Sequence, residues 1–321
     1  MSPFLLTRIL ADDTLDADLR ADVLDGLSHT PKSLPPKWLY DAHGSQLFEQ
    51  ITSTLPHYYP TRTERELLHS HAPSIGADTG ARTLIELGSG SSEKTRYLLD
   101  ALPDLHSYVA VDVSESALAK AGRALSTERP RLAVHALVAD FSRAVPLPDT
   151  PGPRLLAFLG GTIGNFTPAE RADFLTSVRA LLNPGDAFLL GMDLVKDESV
   201  LIAAYDDALT GAFSKNVLTV INRELGADFA LDTFAHVALW NRTDEWIELR
   251  LRSLIRQTVK IPALDLSIDF AEGEDLRTEI SAKFRRAGIT SELATAGMEL
   301  SRWWTTDAST YSLALARPIL P

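Results

Sequence analysis

The sequence predicts an α/β protein: a largely parallel sheet covered by helices, joined to a second, smaller α+β unit. Three observations carry this. Five short runs between residues 83 and 192 are apolar at nearly every position, and each is followed by a segment long enough for one helix. Such runs are strands buried on both faces, as in a parallel sheet. After Met192 the strand-helix rhythm stops, and two closing strands appear near the C-terminal end.

The five runs are 83–87, 108–113, 132–138, 155–159 and 187–192. Residues 197–211 and 212–225 then read as helices. Residues 248–254 (ELRLRSL) alternate polar and apolar like a half-exposed antiparallel strand. The stretch 260–270, with Pro262 inside it, reads as further edge-like strands. Residues 284–297 read as a helix stopped by Gly297. The segments 298–304 and 311–316 read as strands returning to the first sheet. The first 60 residues fit neither pattern: a polar helix at 15–27 precedes the proline-punctuated segment 31–40. With no flexible linker in sight, this arm is expected to pack with the inserted unit.

Composition narrows the function. The 321 residues include 31 Lys and Arg against 43 Asp and Glu, a net charge of −12, with no basic run. That argues against non-specific nucleic-acid binding, which rests on neutralising phosphates. The absence of cysteine excludes disulfide frameworks, thiolate zinc sites, iron–sulfur clusters and cysteine nucleophiles. No window approaches the ~18 apolar residues of a membrane span, so a cytoplasmic protein without a membrane partner is expected. His69 and His71 are a close pair without a third ligand, so no metal site is expected. No G-x-S-x-G elbow follows a strand, and Trp303 and Trp304 read as packing residues of a late strand.

The most informative segment is LIELGSGSSEK at 84–94. Glycines at a strand end let the chain turn tightly and let a ligand approach the backbone. The dinucleotide pattern G-x-G-x-x-G would need glycine at 93, where Glu93 stands, which argues against NAD and its pyrophosphate. A cofactor with a cationic centre and no phosphate fits better, as S-adenosylmethionine does. Asp112 closes the second strand, where a carboxylate accepts ribose hydroxyls, and Asp140 with Phe141 closes the third, where they border an adenine. Taken singly, each acid also reads as a helix cap or a solvated loop residue.

At this point the chain resembles the class I S-adenosylmethionine-dependent methyltransferases, whose sheet is Rossmann-like. Within them it resembles the histidine-specific Nα-methyltransferases of ergothioneine biosynthesis. The resemblance rests on PKSLPPKWLYDAHGS (31–45), LPHYYPTR (55–62), LIELGSGSSEKTR (84–96), FLGGTIGN (158–165), GMDLVKD (191–197) and EISAKF (279–284), and spans essentially the whole chain. It implies trimethylation of the α-amino group of L-histidine to hercynine, with three molecules of S-adenosylmethionine and no metal.

The same resemblance implies a cofactor site of Tyr58, Gly88, Lys94, Asp112, Asp140 and Phe141. It assigns the histidine carboxylate and amine to Asn165, helped by Tyr58 and Tyr205. It assigns the imidazole to Tyr40, Glu279 and Ser281, with Phe48, Gly160 and Leu249 as further pocket positions. Tyr40 and Asn165 are the expected catalytic residues. Glu279 and Ser281, two apart, share a side if their segment is extended, and a carboxylate that accepts an imidazole N–H separates histidine from phenylalanine or leucine. Without the resemblance, Glu279 reads as a surface acid beside Lys283, Asn165 as a cap of a helix near Pro168, and Tyr58 as a packing aromatic.

Two positions depart from the family pattern: Gly161 stands for a serine and Leu249 for a methionine. The second swap keeps volume and apolarity. The expected division is a methyltransferase domain of 62–195 and 285–321, and a substrate domain of 1–61 and 196–284, working as a monomer with histidine held in the cleft between them. The rivals are the same scaffold acting on another amine, such as an indole amino acid, and a module that binds S-adenosylmethionine or NAD without catalysis.

Overall fold

The computed structural model describes residues 4–10, 12–141, 143 and 145–320. The chain divides into two compact units: Met1–Leu10, Pro60–Val195 and Lys283–Pro321 form one, and Ala11–Tyr59 and Lys196–Ala282 form the other.

Among the described residues the first unit holds one sheet of eight strands. Their order is Phe4–Arg8, Ala133–Val138, Ser107–Asp112, Thr83–Leu87, Arg154–Phe158, Ala187–Asp193, Tyr311–Pro318 and Met298–Thr305. The first six pair in parallel, and the last two join antiparallel. Every residue of Thr83–Leu87 and Ala187–Asp193 is buried, which explains why their sequences do not alternate. The helix Glu115–Glu128 buries Leu118, Ala121, Gly122 and Leu125, an i, i+3, i+4, i+7 stripe facing the sheet. The strand Thr83–Leu87 lies centrally, with its carboxyl end beside those of Ser107–Asp112 and Arg154–Phe158. Ligands of open α/β sheets bind outside such strand ends.

One expectation fails here. Phe4–Arg8 belongs to the first unit, not to an arm on the inserted unit, because it extends the sheet with Phe4 opposite Val134 and Arg8 opposite Val138. The Phe4 ring reaches Gly122, where an added Cβ would lie 2.1 Å from it. The observed unit boundaries also fall at 60 and 283 rather than 62 and 285.

In the second unit a four-stranded sheet runs Lys32–Ser33, Asp275–Ala282, Trp246–Ser253, Phe234–Asn241. A separate hairpin pairs Gln257–Ile261 with Leu266–Phe270; the break at Pro262 is a short 3-10 turn ending in Asp265 at φ +49°. The helix Ala208–Leu225 buries Phe213, Val217, Leu218, Val220 and Ile221, each contributing roughly 1.5–3 kcal/mol by burial. Its start corrects the expected 211/212 break. Asp207 caps it by accepting the Leu209 N–H, and Gly211 lies inside it, where an added Cβ would come 3.2 Å from His236. The preceding helix is only Glu198–Ala203. The strand Phe234–Asn241, half-exposed along most of its length, has no counterpart in the sequence reading.

Candidate active site

In the first unit the turn after Thr83–Leu87 is longer than a glycine pair leading straight into a helix. Gly88 and Gly90 have φ of +69° and +50°, Ser92 is left-handed at +53°, and the helix begins only at Thr95. A left-handed serine is strained by roughly 1–2 kcal/mol, and here a buried network holds it. Ser92 Oγ lies 2.9 Å from Tyr108 Oη, and Tyr108 donates to Glu86 Oε2 at 2.6 Å. The same oxygen accepts from Thr95 Oγ1 at 2.6 Å. Burial raises the Glu86 carboxyl to a pKa of about 7, against the lowering by its two hydroxyl donors.

Asp112 is tied to the same turn. Its Oδ2 accepts the Gly90 N–H at 2.9 Å and its Oδ1 the Ser114 N–H at 2.9 Å. Burial raises its pKa while these backbone bonds oppose the rise. The helix cap belongs to Ser114, which accepts from Ala117. A carboxylate has about four acceptor positions, so two backbone bonds leave Asp112 able to accept ribose hydroxyls. Phe141 lies against Gly88, where a Cβ would sit 3.4 Å from the ring, and packs edge-on to Phe158 at 5.4 Å. Asp140, just before it, lies 3.9 Å from Arg143.

Two observations show that this turn has room and an unused polar atom for a ligand. A Cβ at Gly90 would meet nothing within 4 Å, so the backbone is open to approach. Ser89 Oγ is buried and has no hydrogen-bond partner among the described residues. Sequence reasoning passed over Ser89, although it stands inside the motif.

Lys94 pairs with Glu64, and Glu64 accepts the Gly160 N–H with both oxygens, at 2.7 and 2.9 Å. Lys94 and Gly160, expected in different roles, are therefore joined through one carboxylate. Gly161 has φ +69°, and a Cβ there would stand 3.5 Å from Tyr311 Oη, an ordinary contact, so the serine of the family pattern would meet backbone strain rather than a clash. Asn165 ends the short 3-10 turn Thr162–Asn165. The next helix, Pro168–Leu181, is capped by Thr167 in a reciprocal box with Glu170, so capping is not the role of Asn165.

In the second unit the expected substrate residues assemble on one sheet face and a wall of rings. Glu279 stands directly opposite Leu249, and Ser281 opposite Ile247; directly opposed residues share a face. Glu279 and Ser281 are each 8 % exposed, which removes the surface reading of Glu279. Lys283, its supposed neighbour, instead pairs with Asp193 at 3.0 Å, buried in the first unit. Ser281 Oγ lies 2.9 Å from Tyr205 Oη. Tyr205 meets Tyr58 at 5.8 Å, Tyr58 meets Phe48 at 6.1 Å and Phe48 meets Tyr40 at 5.4 Å, all edge-on. Phe213 completes the group, 5.2 Å from Tyr40 and 5.7 Å from Phe48. It gave no signal in sequence beyond its apolar helix position.

Among the described residues no group of three or more His, Cys, Asp or Glu side chains is placed to hold a metal. His69 packs against Tyr97 and His71 stacks on Trp304. No described helix is long and apolar enough to cross a membrane.

The family profile described as histidine-specific methyltransferase, SAM-dependent, matches residues 19–318. The chain belongs to this family. A histidine N-alpha-methyltransferase of Mycolicibacterium smegmatis is 51 % identical over 316 residues, covering 97 % of this chain and 98 % of the relative. One of Mycobacterium tuberculosis is 49 % identical over 312 residues, covering 96 % and 97 %. An L-tryptophan methyltransferase of Psilocybe serbica is 28 % identical, covering 93 % of this chain and 92 % of the relative. Among solved structures, the CcbJ methyltransferase of Streptomyces caelestis superposes with a TM-score of 0.52 at 17 % identity, over 88 % of this chain and 100 % of that one, a likeness of fold. As a member of the histidine-specific family, the protein is an S-adenosylmethionine-dependent methyltransferase with a Rossmann-like class I sheet.

Proposed function

We propose that this methyltransferase converts L-histidine to hercynine by three successive methyl transfers to the α-amino nitrogen, the first step of ergothioneine biosynthesis. One observation carries the choice of substrate. Glu279 and Ser281 lie buried on one sheet face, with the Tyr205 hydroxyl on Ser281 and the apolar Leu249 opposite Glu279. A buried carboxylate beside a hydroxyl pair matches the two ring nitrogens of an imidazole, and an apolar ring offers those groups no hydrogen bond. The two relatives at about half identity support the same substrate.

S-adenosylmethionine supplies a methyl group activated by its sulfonium. No covalent nucleophile is therefore required of the protein, whose work is alignment and exclusion of water. Gly88, Asp112, Asp140 and Phe141 would hold the nucleoside, and Lys94 the carboxylate of the cofactor's tail. Asn165, with Tyr58 and Tyr205, holds the substrate's carboxylate and amine. The nitrogen attacks only as the free amine, whose pKa lies above about 8, so each round begins with proton loss. Tyr40 and Phe48 present aromatic faces to the quaternary ammonium that accumulates, an attraction of roughly 0.5–2 kcal/mol.

The protein is proposed to act as a cytoplasmic monomer, which light scattering on the purified chain and fractionation of its host check. The reaction is tested by incubation with S-adenosylmethionine and a panel of free amino acids, followed by mass spectrometry. Gain of three methyl groups on histidine alone is expected. Unmodified histidine beside a methylated indole amino acid would discard the reading.

A further inference from the structure

Glu64 has no place in the site as read from sequence, yet it is an enclosed carboxylate in contact with two residues that do. Its residue is fully buried in the helix Pro60–Thr79. It accepts from Lys94 Nζ, from the Gly160 N–H with both oxygens, and from Tyr311 Oη at 2.7 Å. Space for the carboxylate exists only because residue 191 is glycine: a Cβ there would lie 2.0 Å from Glu64 Oε1 and 3.1 Å from Tyr311 Oη. Four separate segments thus converge on one carboxylate. For stability alone a well-packed apolar group would serve as well or better, since desolvating a charge offsets much of what its partners return.

The asymmetry of the pair points to a use. Glu64 is wholly inside, whereas the Lys94 side chain is 20 % exposed, so the lysine reaches the surface of the unit while tethered from behind. An ammonium has three donors, and Glu64 engages one. We propose that Glu64 is a positioning residue for the cofactor's amino-acid tail: it fixes Lys94 so that the remaining donors meet the tail carboxylate, and by holding the Gly160 amide it couples that tail to the loop ending in Asn165. A restrained lysine loses less side-chain entropy on binding than a free one. This inference rests on the reading of Lys94 as a cofactor residue.

The test compares two ligands by calorimetry, S-adenosylhomocysteine and 5′-methylthioadenosine, which share adenosine and thioether but differ in the amino-acid tail. Lys94→Met weakens the first ligand and spares the second if Lys94 binds the tail. Glu64→Gln is expected to weaken S-adenosylhomocysteine about tenfold, the scale of one charge-assisted hydrogen bond, and to leave methylthioadenosine within about twofold. In the Lys94→Met background the same change is expected to cost less than about twofold, as coupled groups do. Should Glu64→Gln not yield folded protein, Tyr311→Phe removes one hydrogen bond to Glu64 and is expected to show the same selectivity at about threefold. An unchanged affinity for S-adenosylhomocysteine, equal losses for both ligands, or an undiminished effect without Lys94 would overturn the role of Glu64. A Lys94→Met change that weakens both ligands alike would overturn the cofactor reading of Lys94, and the proposal with it.

Discussion

The glycine turn of the first unit and the aromatic wall of the second are built from different materials. In the turn, the ligand-facing surface is largely backbone, shaped by positive φ at Gly88 and Gly90 and fastened to Asp112 by an amide of its own. In the wall, the surface is side chain: Tyr40, Phe48, Tyr58 and Tyr205 come from separate segments and meet ring edge to ring face. Backbone offers geometry that few substitutions leave intact. Side chains offer selectivity that single substitutions retune. The turn therefore suits a cofactor that does not vary, and the wall suits the part of the reaction in which relatives differ.

The sharpest way to break this contrast is at the turn. Gly88→Val puts a branched side chain at φ +69° with its Cβ 3.4 Å from Phe141. Strain and overpacking of about 3 kcal/mol together predict a loss of roughly 100-fold or more in S-adenosylhomocysteine affinity by calorimetry. A loss under about threefold would show that side chains, not backbone, dominate there.

On the wall, Glu279→Ala is predicted to lower kcat/KM for histidine by about 30- to 300-fold, the cost of leaving a buried imidazole donor unpaired, without changing affinity for S-adenosylhomocysteine. Equal loss in both measurements would mean that Glu279 supports the fold rather than reading the ring.

A subtler test concerns the Ser281–Tyr205 hydrogen bond of 2.9 Å. Ser281→Ala and Tyr205→Phe are each expected to raise the KM for histidine by roughly 3- to 10-fold, and the double variant no further than the worse single one, because the two hydroxyls act as a pair. Strict additivity in steady-state kinetics would show that they act separately.

The last prediction bears on how the turn is supported from beneath. The Glu86 carboxyl has a native pKa raised to about 7 from 4.5 by burial, so the native state holds a proton that the unfolded chain releases. Its contribution to stability is fully present below about pH 4.5 and is lost as pH rises through about 7. Glu86→Gln keeps the acceptor for Thr95 and Tyr108 without that titration. Relative to the parent, it should gain on the order of 3 kcal/mol between pH 4.5 and 8, read as a Tm difference that grows with pH. A difference independent of pH would mean that Glu86 stays ionised in the fold.

The same contrast explains what could be read from the sequence. The buried parallel strands announce themselves because both faces are covered, and the glycine turn because backbone geometry demands glycine at set places. The unit to which Phe4–Arg8 belongs is not legible in sequence, because an edge strand needs no run of core residues and its partner lies about 130 positions away. The helix start at Ala208 is hidden because a glycine needed for close packing on His236, Gly211, looks in sequence like one that ends a helix. The wall residues are tyrosines and phenylalanines of a kind found in any core. Only their resemblance to a family marked them, and Phe213 and Glu64, which no such motif includes, went unseen. Glu64 in particular sits in a polar helix whose residues look solvated until the fold brings Gly160 and Tyr311 to it.

The chain passes between its two units four times, and that path bears on synthesis. The inserted unit lacks the strand bearing Glu279 until residue 282 has left the ribosome. At that moment the first unit still wants its two antiparallel strands, Tyr311–Pro318 beside Ala187–Asp193 and Met298–Thr305 beyond it. Neither half can be finished before the other is nearly made, so the enzyme reaches competence late and all at once, and neither half is a contiguous cassette that recombination could lift out whole.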